Sequence, residues 1–170
     1  MIRALSVLAV CFWFSAVAIA NESHGIAQEW IKYFEGDWQR EVKIWTKEDG
    51  WKENEVEWSA ELVAGGLTLV TRGEGQWGDF STTLGINGYT GDFFEYGAAA
   101  NGNRWLTVFD TIEKDRIKGA FRGGLSDGQK GEGTIEIKRV DKNTYTASWS
   151  LKTQDGDEMK GKATNIRKHK

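Results

Sequence analysis

Three features predict an all-β fold for this 170-residue chain. Apolar and polar residues alternate with period two in about ten short runs, the pattern of half-buried antiparallel strands. Turn signals such as Asp49-Gly50, Asn87-Gly88 and Asp155-Gly156-Asp157 separate the runs. Proline is absent, so every residue keeps a backbone N–H for ladder pairing. No long helical stretch lies between the runs, which argues against a parallel α/β sheet. Such a meander hides its edges by closing into a single antiparallel up-and-down barrel. A two-sheet sandwich shares the local signals and is the structural alternative.

The first twenty residues stand apart. Arg3 is followed by an apolar run from Ala4 to Ile19, and Ala18-Ile19-Ala20 places small residues at a cleavage position. This is the pattern of a secretory signal peptide, with residues 21–170 as one domain and a periplasmic or secreted destination. The run is shorter than the roughly 20 apolar residues of a spanning helix. Cys11, the one cysteine, lies inside the run, a poor place for a lipidated residue. Cleavage after Ala20 removes it, so the domain rests on packing without disulfides.

A short helix is expected from Ser23 to Phe34, with Asn21 or Ser23 as its cap. Ile26, Trp30, Ile31 and Phe34 fall on one face, and Gly36 stops it. The period then changes. Trp38, Arg40, Val42, Ile44 and Thr46 share one side of a strand; Val56, Trp58, Ala60 and Leu62 share one side of the next. Further strands are expected at 67–72, 79–86, 93–100, 105–111, 116–122 and 134–140. Tyr145, Ala147, Trp149 and Leu151 alternate in another, and 158–167 is the last.

The run Trp30-Ile31-x-x-Phe34-x-Gly36-x-Trp38 carries a family resemblance. A short helix entering Gly-x-Trp on the first strand resembles the opening of calycin barrels, lipocalins among them. The longer motif is similar to the bacterial domain-of-unknown-function family 1579. The resemblance implies a calycin-like barrel in which Gly36 and Trp38 close one end, with Arg167 from the last strand across the indole. It brings no catalytic residues. An arginine on an indole gains cation–π attraction and covers apolar surface.

Chemistry is thinly marked. The chain has 22 basic and 25 acidic residues, no surface suited to tracking phosphates, and so no nucleic-acid partner is expected. Of two histidines, His24 and His169 lie near the ends of the domain, where neither is held for a triad or a haem. Glu53, Glu55, Glu57 and Glu61 alternate with apolar residues as the wet side of a strand. The Asp155–Glu158 acids form a hairpin turn more simply than a calcium loop. No metal or cofactor is expected.

Aromatic residues carry the remaining signal. Trp58, Trp105 and Trp149 fall within strands, as do Phe93, Tyr96 and Phe109. They either fill the interior or line a cavity for a small, partly apolar ligand. Arg72 is the candidate for an inward cation, although an outward arginine is simpler. Phe93 and Phe94 are adjacent and point to opposite sides. Trp45, Trp51 and Trp77 flank turns, as a rim or a surface contact. The expectation is an exported ligand-binding barrel, not an enzyme. A filled structural or protein-interaction module and a carboxylate-based hydrolase are the alternatives. No particular protein partner is indicated.

Overall fold

The computed structural model describes residues 24–75 and 78–168. Helix α1 covers 24–34. Ten strands follow: β1 Gly36–Thr46, β2 Gly50–Val63, β3 Thr68–Gly75, β4 Gly78–Ile86, β5 Phe93–Ala99, β6 Arg104–Ile112, β7 Arg116–Gly124, β8 Lys130–Arg139, β9 Thr144–Thr153 and β10 Glu158–Arg167. A 3₁₀ turn, Ala64–Gly66, links β2 to β3. The expected signal segment, Cys11, the Asn21 or Ser23 cap, Trp77 and His169 lie outside the described residues. No helix among the described residues is long and apolar enough to cross a membrane.

Each strand pairs antiparallel with its chain neighbour, and β1 pairs with β10, so the sheet is a closed barrel and not a sandwich. The period-two pattern sets which side faces in. On β2, Val56, Trp58 and Ala60 are buried while Glu55, Glu57, Ser59 and Glu61 are exposed. A slip of one residue would reverse every one of these positions, so burial of one face fixes the register. A single irregularity, between Phe109 and Thr111, interrupts the β6–β7 register.

β3, β7 and β8 run beyond the expected 67–72, 116–122 and 134–140, continuing through Gly73, Gly75, Gly123, Gly131 and Gly133. At Gly73, Gly123 and Gly133 the reason is close backbone approach. A Cβ at Gly133 would lie 1.8 Å from the Ser150 carbonyl oxygen, and one at Gly123 would lie 2.4 Å from that of Arg104. Glycine here permits wall curvature rather than marking a turn.

Helix α1 closes one barrel end. Ala27, Trp30, Ile31 and Phe34 form its buried stripe. The Trp30 indole donates to the Glu113 carbonyl oxygen at 2.7 Å, and the Tyr33 hydroxyl lies 2.9 Å from the Thr144 carbonyl oxygen that accepts from it. These bonds tie the helix to the β6–β7 and β8–β9 turns. The Arg139 guanidinium sits beneath it, 4.0 Å from the Trp30 ring centroid and 4.3 Å from that of Tyr33.

Gly36 turns the chain from α1 into β1 at φ 114°, a conformation that favours glycine. Trp38 then points inward and is fully buried. Its N–H donates to the Phe34 carbonyl oxygen at 2.9 Å, and its ring stacks on Trp58 with centroids 5.5 Å apart and planes 8° from parallel. Arg167, opposite Trp38 in the β1–β10 ladder, lies 4.3 Å from the indole centroid. Its guanidinium donates to the carbonyl oxygens of Glu35 and Tyr33. Gly36, Trp38 and Arg167 thus meet at the helix-covered end.

Candidate ligand cavity

Above that floor the barrel encloses a cavity of about 310 Å³, which reaches from Phe34, Trp58 and Tyr145 to Asn103 and Leu125 at the opposite turns. This volume is at the lower end of the range for small-molecule pockets. A larger concavity, about 810 Å³, lies on the outer wall over Val108, Ala120, Thr134 and Ser150, bordered by exposed Arg122 and Lys152. It opens broadly to solvent, so the interior space is the better-enclosed site.

The cavity walls are mainly apolar, and strand parity places every group. Val42 and Ile44 face in from β1, Leu69 from β3, Leu84 from β4, Phe109 from β6 and Ile137 from β8. Two indoles are seated by glycines on neighbouring strands. A Cβ on Gly97 would fall 2.2 Å from the Trp105 ring, and one on Gly161 would fall 2.0 Å from the Trp149 ring. Trp105 pairs with Gly97, and Trp149 with Gly161, in the ladders.

A polar group sits within these walls. Arg40, Glu95, Thr71, Thr82 and Thr107 all line the cavity. The Arg40 Nε donates to Asn165 Oδ1 at 2.7 Å, and the Trp58 indole donates to the same oxygen at 3.3 Å. Two donors on one atom fix the Asn165 amide orientation. The Arg40 charge also acts on the Tyr145 hydroxyl, opposing the effect of its burial. Burial pushes that phenol up to about 12, so Tyr145 stays neutral through the physiological range.

Glu95 is the one carboxylate lining the cavity among the described residues. The Trp105 indole donates to its Oε1 at 2.7 Å. Burial raises the Glu95 carboxyl above the usual range, against the opposing pull of the Trp105 hydrogen bond and the Arg40 charge. Its remaining accessible surface faces the cavity rather than bulk solvent. No ion pair within 4.0 Å joins it to Arg40.

A pH dependence follows. The native state holds the Glu95 proton over a pH window in which the unfolded chain has lost it. Its favourable contribution is therefore complete below the ordinary carboxylate value, about 4.3, and is lost as pH rises through the raised value. Glu95→Gln removes that loss while keeping an acceptor for Trp105. The variant should gain stability over the native protein as pH rises, reaching about 1–3 kcal/mol at neutral pH, the scale of relieving an unsatisfied buried group. Urea midpoints at pH 4 and pH 7.5 check this; an equal difference at both would refute it.

The sequence-derived aromatics divide. Trp58, Trp105, Trp149 and Phe109 line the cavity together. Phe93 is buried against Phe109, with centroids 5.0 Å apart, and is not on the cavity wall. Tyr96 faces outward and is 47% exposed. Arg72 also faces outward, 3.7 Å from Glu61. The physical reason is parity: Glu95 and Gly97 face in on β5, as Thr71 and Gly73 do on β3, so Tyr96 and Arg72 must face out. The inward cation is Arg40.

Other candidates settle on the surface. Trp45 and Trp51 face each other across the β1–β2 hairpin; Trp51 is exposed, with Lys162 5.9 Å from its ring centroid. Glu53 pairs with Lys43, and Glu57 with Lys168, each at 2.6 Å. Asp155 and Gly156 lie in the β9–β10 turn. His24 is exposed at the start of α1. Among the described residues no three His, Cys, Asp or Glu side chains gather to hold a metal ion.

No protein-family model matches the chain, and no curated relative matches it. The resemblance to family 1579 therefore stands on the Trp30–Trp38 motif without support for that particular family. Solved structures do match. The Rv2717c protein of M. tuberculosis aligns with a TM-score of 0.63 at 14% identity, over 84% of this chain and 98% of that one. An S-type phycobiliprotein lyase of Guillardia theta aligns at 0.56 and 12% identity, over 84% of this chain and 92% of the lyase. A protein of unknown function from the DUF3598 family, from Nostoc punctiforme, aligns at 0.53 and 9% identity, over 81% of this chain but 48% of its own length. At these identities the likeness is one of fold: a calycin-like, ten-stranded closed barrel.

Proposed function

We propose that this protein binds a small, partly apolar ligand inside the barrel and performs no chemistry on it. The observation that carries this reading is the enclosed cavity of about 310 Å³, with apolar walls and a small polar group at Arg40 and Glu95. Pockets of this composition hold ligands by apolar contact and orient them by a few polar ones. Hydrolysis by paired carboxylates needs a second acid near the first, and Glu95 lines the cavity without one among the described residues. The same barrel frame serves the Guillardia lyase, a likeness that lends the frame and not a ligand.

Naphthalene is a suitable first probe. Saturable, one-to-one quenching of tryptophan fluorescence is expected. Ala147→Trp, which fills the cavity wall, should abolish it, whereas Ala120→Trp on the exposed outer face should leave it unchanged. Quenching that never saturates, or that Ala147→Trp leaves intact, would sink the reading. We also propose that residues 1–20 direct export to the periplasm or medium. A mature chain beginning at Asn21, by intact mass of the exported protein, supports this; a cytoplasmic full-length chain opposes it.

A further inference from the structure

We propose that the cavity selects a ligand whose buried end is a neutral amide-like edge, with an N–H donor set against Glu95 beside a carbonyl acceptor set against Arg40. This rests on the ligand-binding reading above. Arg40 and Glu95 both line the cavity and feel each other's charge, yet they form no direct ion pair. Above its raised titration point Glu95 is a carboxylate with about four acceptor sites, and the Trp105 indole fills one of them. Arg40 is anchored by Asn165, and a guanidinium carries five N–H donors in a planar fork.

Charge balance decides among ligand types. A ligand carboxylate would suit Arg40 but place a second acid beside Glu95. An ammonium would suit Glu95 but place a second cation beside Arg40. Either adds a third charge to an apolar enclosure, where desolvation is costly. An adjacent N–H and C=O, as in a lactam, offers each residue its complement and adds no charge. Tyr145 and the three threonines bring no further charge to the cavity; Arg104, which also lines it, is exposed at the start of β6, where water screens its charge. The volume equals about ten waters' share of liquid, the scale of a fused bicyclic ring.

Four probes of similar size test the proposal: quinolin-2(1H)-one, its N-methyl derivative, 2-naphthoate and 2-naphthylmethylammonium, with naphthalene as the apolar reference. The lactam is expected to bind at least ten-fold more tightly than the N-methyl compound and than either ion. In Glu95→Leu the lactam-to-N-methyl ratio should fall close to one. Glu95→Gln is the second variant; its amide N–H opposes the lactam donor, so the ratio should fall there too. Equal binding of the two quinolones by the native protein overturns the proposal, as does tightest binding of either ion. If the ratio survives in both variants, Glu95 is not the acceptor and the proposal fails. Those results leave naphthalene binding, and the ligand-binding reading, intact; loss of naphthalene binding as well removes both.

Discussion

Trp38→Ala is expected to remove about 4 kcal/mol of stability, in the range for deleting a fully buried indole. The residue joins three layers of the closed end. Its ring stacks on Trp58, meets Tyr145 edge-on at 5.1 Å, and is covered by the Arg167 guanidinium. Its N–H is bonded to Phe34, so truncation also leaves a carbonyl of α1 without its donor. Arg167→Met isolates the cationic part: it retains apolar cover but loses the cation–π contact and the bonds to Glu35 and Tyr33, for about 1–2 kcal/mol. Urea denaturation of both variants checks the order. A Trp38→Ala loss no larger than that of Arg167→Met would mean that the indole does not organise this end.

Gly133→Ala should cost about 3 kcal/mol or more, although it adds one methyl group. The new carbon would fall 1.8 Å from the Ser150 carbonyl oxygen and 2.9 Å from the tip of Phe121. Phe121 can rotate, but Ser150 belongs to the neighbouring strand's backbone, so the wall itself must shift. Overpacking without a flexible neighbour lies at the upper end of its usual 1–3 kcal/mol range. Gly124→Ala is the control. A Cβ there meets nothing within 4 Å, and its effect should stay within about 0.5 kcal/mol. Thermal unfolding of the pair decides the matter, and similar losses would refute the close-approach account.

The barrel was largely legible because one face of each strand is wet. Clean alternation at Glu55–Leu62 and Tyr145–Leu151 gives both the strand and its inward side, and it places Trp58 and Trp149 correctly. The same logic puts Arg40 on the side of Trp38 and Val42, although period-two patterning does not show that its inward charge meets Glu95 across the cavity. Glu95 was missed for a physical reason. Its neighbours in Phe93-Phe94-Glu95-Tyr96 are all aromatic, so hydrophobicity does not distinguish the two faces. Parity there comes from pairing with Leu84 on one side and Thr107 on the other, which is long-range information. In the same segment Tyr96 faces out, whereas Phe93 faces in with Glu95 and is buried against Phe109. Gly131 and Gly133 lie beyond the expected 134–140 strand for a different reason: glycine marks a turn and a close approach with the same letter.

The closed order of strands also shapes how the chain must find its fold. Nine of the ten strand pairings join chain neighbours, while the β1–β10 seam joins the two ends. A hairpin contact such as Lys43–Glu53 spans 10 residues, whereas Arg40–Asn165 across the seam spans 125. Between three and four doublings of loop length separate them, or about 2 kcal/mol of additional closure entropy. That cost falls on the pairing that also brings Arg167 over Trp38 and Asn165 to Arg40. Local hairpins lower the average contact separation and favour fast early steps. The polar interior and the covered end are both completed only when the two chain ends meet.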